Sequence, residues 1–219
     1  MNIDPYKHIR LFQDLDRAVL NYDESLHRRF NNHKGNVFFK INHLEVIFHR
    51  CKKSFERAKE DFLLQDTLDR RILAIDVESY IIFSNIVLDN LIWMLGPLIK
   101  GNFTKNKPTY QSFGAFCDWI EKNHQDVKDL DFLNFMLEFK KWFEKNIRNP
   151  RNALIIHKYQ SYTQDTFTEN GIKRERRNAS KNRTEPPEEV FLFEYPIHLH
   201  RKLLEYIYEI EQFFVEKLI

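Results

Sequence analysis

Apolar residues recur at three- and four-residue intervals along most of this chain, the spacing that gathers side chains on one face of an α-helix. Phe12, Leu15, Val19, Tyr22, Leu26 and Phe30 form the first stripe and predict a helix over residues 5–31, with Gly35 placed to end it. A second stripe, Ile41, Leu44, Phe48, Cys51, Phe55, Ala58 and Phe62, alternates the two intervals without a fault. Two long helices patterned this way pack antiparallel, so residues 1–66 read as an N-terminal helical hairpin, although the same stripe also suits a dimer seam. Over residues 67–99 the chain is apolar nearly all round beyond Ser79, as a central helix touched on several faces must be. Gly96-Pro97 weakens its end. Residues 100–110 form a loop, Phe113, Phe116 and Ile120 define a short helix over residues 111–123, and Asp129 caps another whose Phe132, Met136, Phe139, Phe143 and Ile147 point inward.

Past residue 157 the pattern changes. Tyr159, Tyr162, Thr163, Thr166, Phe167 and Thr168 favour extended structure, and Asn170-Gly171 is a hairpin-turn pair. Six basic residues against the single Glu175 lie between Lys173 and Arg183, followed by Pro186-Pro187. A basic hairpin and loop is therefore expected over about 160–195. A last helix, from about Pro196, aligns Leu199, Leu203, Ile207, Ile210 and Phe214. The whole reads as an all-α antiparallel helical bundle with a small β-hairpin insert before the last helix, one domain over 1–219 with its core in 67–219.

Composition narrows this picture. The 219 residues hold 15% aromatics and only five glycines, which excludes disorder and a turn-rich all-β fold. The formal net charge of +2 is too mild to signal nucleic-acid binding by itself, so any basic surface must be local. Cys51 and Cys117 lie far apart, and the first residues carry no secretory pattern, so a reducing cytoplasm is expected. The apolar stretch 79–99 contains Asn85, Asp89, Asn90 and Pro97, which points to a buried helix and not to a membrane span. Neither His43-x-Glu45-x3-His49 nor His198-x-His200 has the i, i+4 spacing that sets metal ligands on one helix face, so neither a metal nor any other cofactor is expected.

The chemically pointed segment runs from Arg148 to Tyr159. Proline disfavours helical geometry at Asn149, while asparagine caps helices and proline suits their first position, so a helix is expected to break there and a new one to start at Pro150. Arg151 would then lie in a first turn rich in unpaired N–H groups, with Arg148 nearby, which is a phosphate-binding arrangement. His157 titrates near neutral pH and can take or give a proton. On a helix Arg151 and His157 sit about 120° apart around the axis and about 9 Å apart along it, so one copy alone does not pair them. A two-fold dimer presents each group twice and brings them into one cleft.

An Arg followed directly by a polar residue, with five residues in all between the Arg and a His, at a helix start in an all-α chain, resembles the Arg-x4-6-His motif of HEPN-superfamily ribonucleases. The resemblance covers residues 67–219 and rests on Arg151-Asn152-x4-His157. A second spacing match, Arg28 to His33, has Arg29 where the motif has its polar residue and precedes Gly35. The resemblance implies a metal-independent endoribonuclease acting as a homodimer, in which the ribose 2′-OH attacks the adjacent phosphate and leaves a 2′,3′-cyclic phosphate. By that resemblance Arg151 holds the phosphate, His157 transfers a proton and Asn152 orients substrate or the His. Arg148, Lys158, Lys173, Arg174, Arg176 and Arg177 would contact RNA, and Asp76, Glu78, Ser79 and Tyr159 would support the site. A toxin or antiviral-defence role, with an antitoxin or sensor protein as partner, is implied in the same way. Tyr159 is also similar to the tyrosine of the Arg-x4-His-x-Tyr toxins that is modified by their antitoxins, but here five residues separate Arg from His. The competing readings are a surface arginine beside a half-buried histidine, a non-catalytic helical module that binds RNA or protein, and a structural assembly protein.

Overall fold

The computed structural model describes residues 12–60, 68–99, 103, 111–152, 161–168, 171–178, 183–184 and 194–218. The fold is nearly all helical: α1 Gln13–Tyr22, α2 Glu24–Glu60, α3 Leu68–Ile99, α4 Phe113–Lys122, α5 Leu130–Phe143, α6 Asn149–Arg151 and α7 Glu194–Leu218. The remaining strands, β1 Ser161–Thr168, β2 Gly171–Asn178 and β3 Arg183–Thr184, form a small antiparallel sheet in the order β1-β2-β3, with Thr168 opposite Gly171.

The first helical break differs from the sequence expectation. It falls at Asp23, which is extended at φ −160° and whose Oδ1 accepts from the N–H groups of Ser25 at 2.7 Å and Leu26 at 3.1 Å. These bonds satisfy orphan amides at the start of α2. Gly35 does not end a helix; α2 runs through it for 37 residues. An interior glycine costs only about 1 kcal/mol, which the buried Phe30, Val37, Ile41 and Leu44 on either side outweigh. A hairpin bend at Gly35 is thus replaced by a ten-residue helix followed by one long one.

In α3, Val77, Tyr80, Ile81, Val87, Leu88, Leu91, Ile92, Met94 and Leu95 are all buried, and Pro97 lies inside the helix, short of its end at Ile99. Among the described residues Ile75–Ile99 is long and apolar enough to cross a bilayer, and 56% of its most apolar window is buried inside the protein.

The chain divides into two units. The first comprises Met1–Asn42, Asn85–Phe143 and Leu203–Ile219. Its core is a run of aromatic rings: Phe139 stacks on Tyr206 at 4.3 Å and 6°, and Phe113 meets Phe139 at 4.7 Å and Phe143 at 4.9 Å. Large flat side chains bury the most apolar area per residue and gain further from ring geometry. Polar groups beside this core serve helix ends. Ser112 Oγ caps α4 by accepting from Ala115 N–H, Asp89 accepts from Phe113 N–H, and Asp129 accepts from Asp131 and Phe132 N–H while its other oxygen meets Lys217 at 2.7 Å. The buried Lys140 is neutralised by Glu121 at 2.6 Å and Asp118 at 3.1 Å.

The second unit comprises His43–Ser84 and Glu144–Lys202. Here Phe48 stacks on His200 at 4.1 Å and 9°, and His200 Nδ1 lies 3.0 Å from the Tyr80 hydroxyl. Asp76, 1% exposed, accepts from Arg50 at 2.6 Å and from Ser54 Oγ at 2.6 Å.

Candidate functional site

Residues 144–152 carry the described part of the site. Glu144–Arg148 form a π-helical turn, Asn149–Arg151 continue as α-helix, and Arg148 and Asn152 both have right-handed helical dihedrals. The expected break at Asn149 is absent, and Arg151 does not open a new helix. The physical reason lies in Pro150, which cannot donate an N–H bond and whose ring presses on the carbonyl four residues back. A widened turn just upstream lets the run pass this point without reversing direction. The free first-turn amides expected to bind phosphate are therefore not supplied by the backbone at Arg151.

The side chains of this segment are arranged locally. Arg151 is half-buried, and its Nε and Nη2 donate to Asn152 Oδ1 at 3.3 and 3.2 Å, a two-pronged contact between sequence neighbours. Because one acceptor engages two donors of the guanidinium, its plane is fixed relative to the backbone. Arg148 Nη1 lies 3.4 Å from Glu144 Oε1 one turn back, so it is partly neutralised. The structure thus brings Arg151 and Asn152 together. His157, Lys158 and Tyr159 lie outside the described residues.

The other expected site residues are distributed as follows. Lys173, Arg174, Arg176 and Arg177 lie on β2, two on each side of Glu175, opposite Thr166, Asp165, Thr163 and Tyr162. Asp76 is engaged by Arg50 and Ser54 of α2, and Ser79 Oγ donates to the Ile75 carbonyl at 2.7 Å. Glu78 is half-buried on α3. Arg50 was not singled out by its pattern, though Arg50 and Ser54 are one turn apart on the α2 face beside the buried Cys51. Burial pushes the Cys51 thiol up to about 12, with Asp76 adding to the shift, so it is no nucleophile at neutral pH. Among the described residues no three His, Cys, Asp or Glu side chains gather as metal ligands do.

Compared with family models, with curated proteins and with solved structures, the chain matches none.

Proposed function

We propose that this chain is a metal-independent endoribonuclease of HEPN type that works as a homodimer. The observation that carries the reading is the Arg151–Asn152 pair: an arginine whose guanidinium is oriented by the motif's own polar residue, half-buried, next to a π turn of the kind that often marks functional segments. A guanidinium held in this way binds a phosphodiester through parallel N–H···O bonds. In the proposed reaction the ribose 2′-oxygen forms a bond to phosphorus and the bond to the 5′-oxygen breaks. His157 accepts the 2′-OH proton, and the His157 of a second copy delivers one to the leaving 5′-oxygen. The products are a 2′,3′-cyclic phosphate and a 5′-OH. The basic β2 residues, as part of a β-hairpin insert before α7, hold the RNA backbone without reading its sequence. On this reading the protein is a cytoplasmic toxin or antiviral-defence effector kept in check by an antitoxin or sensor protein.

The test is incubation of the purified chain with labelled RNA in EDTA. Cyclic-phosphate ends are expected, with their loss in Arg151→Ala and in His157→Ala. A second reading, a non-catalytic helical module that binds RNA or a protein partner, is favoured by one observation: Arg151 lacks the helix start that would reinforce phosphate binding. RNA bound but never cut, equally in wild type and His157→Ala, would establish that reading instead.

A further inference from the structure

Within the first unit, α1 starts without a cap of its own. Phe12 precedes it in the left-handed region at φ 66°, makes no side-chain cap bond, and is followed by Asp14 and Asp16 in the first turn. The missing acceptor comes from α7: Glu211, 3% exposed, accepts from the backbone N–H groups of Phe12 and Leu15. A carboxyl group used as a helix cap is ordinary, but a buried one at this position is not. Burial makes its charge costly, the negative charge of Asp14 adds to that cost, and the two amides oppose them. Among the described residues Asp14 is the charged group acting on it. His27 and Lys34 of α2 are engaged with Asp16, at 3.0 and 2.7 Å.

We propose that α1 is a proton-controlled latch, docked on α7 while the Glu211 carboxyl is neutral and released as that carboxyl ionises. Burial raises the carboxyl from 4.5 to about 7 in the docked state, so docking binds a proton. The docking contribution is fully present below the ordinary carboxylate value, is lost as pH rises through 7, and is flat above that. The other clasp on α1 does not interfere in this window. Burial opposes ionisation of Asp16, but its bonds to Lys34 and His27 prevail and hold its carboxyl below the usual value, so its ion pair with Lys34 persists from mildly acidic to neutral pH. Release of α1 uncovers the apolar face made by Phe12, Leu15, Ala18 and Val19, all buried when it is docked. The latch thus gates an apolar surface close to physiological pH.

Hydrogen exchange of the α1 peptide, followed by mass spectrometry between pH 5 and 8 and corrected for intrinsic rates against α5 peptides, tests this in the full chain. Protection of α1 is expected to fall on the order of 50- to 100-fold over that range. In Glu211→Gln, neutral at every pH, the fall should vanish. Equal pH slopes in the two proteins would overturn the proposal. Carbon-13 titration of the wild-type carboxyl gives a second readout that needs no variant to fold. A midpoint near 7 supports the latch, and an ordinary carboxylate midpoint defeats it.

Discussion

The two units use polar residues in opposite ways. In the first, polar side chains beside the aromatic core answer to helix ends or to a buried charge: Ser112 and Asp129 cap, Asp89 receives Phe113 N–H, and Lys140 sits between two carboxylates. In the second, Asp76 is buried under Arg50 and Ser54, and Arg151 is oriented by its own neighbour beside a π turn. Satisfying helix ends stabilises a fold, whereas fixing a guanidinium that caps nothing stabilises little. Stability thus rests chiefly on the first unit, and the proposed chemistry on the second.

Phe139→Ala removes a fully buried ring that stacks on Tyr206 and touches Phe113, and should cost about 3–5 kcal/mol in chemical denaturation. Cleavage per folded molecule should be unchanged. Arg151→Ala should do the reverse, cutting RNA cleavage at least ~100-fold with a midpoint of denaturation close to wild type. If Phe139→Ala abolished cleavage in its folded fraction, or Arg151→Ala unfolded the chain, the division of labour would be wrong.

A smaller effect sharpens the second unit. Asp76→Ala leaves the buried Ser54 hydroxyl without its acceptor, while Arg50, 62% exposed at its side chain, can turn to water. The expected loss is about 1–3 kcal/mol, an unsatisfied buried donor with no full charge stranded. Asp76→Asn, which keeps an acceptor for Ser54, should recover part of it. Were Asp76 a support of the proposed site and not of the α2–α3 contact, both variants would lower cleavage more than stability.

How much of this was legible in the sequence follows from the range of the interactions involved. The helices with clear stripes, α4, α5 and α7, are readable directly from their apolar period, with a local cap at Asp129 for α5, and α3 is readable from its length and its apolar character nearly all round. The cap at Asp23 is hidden although aspartate is a preferred cap, because the stripe from Phe12 to Phe30 runs across it without a change of period. Pro150 misled because its local preference, a helix start, competes with a helical run already under way from Glu144, and the π turn that resolves the conflict leaves no trace in periodicity. The Arg151–Asn152 contact was readable as a neighbouring pair. The pairing of Arg50 with Asp76 was not, since 26 positions separate them and only packing brings them together.

The smallest effect carries the sharpest sign. Gly35 lies in the interior of α2, and a Cβ added there meets nothing within 4 Å. Replacing it with alanine in a helix removes backbone freedom from the unfolded chain at no steric cost, so Gly35→Ala should stabilise the protein by about 0.5–1 kcal/mol. Had Gly35 ended a helix in the left-handed region, as its position between two apolar stripes predicts, alanine would instead be strained and the variant less stable. A thermal melt that shifts upward by a few degrees supports one continuous helix from Glu24 to Glu60, and a downward shift restores the bend. Because the gain comes from the unfolded state, it should appear with Arg151-dependent cleavage unchanged, which sets it apart from any change that acts through the site.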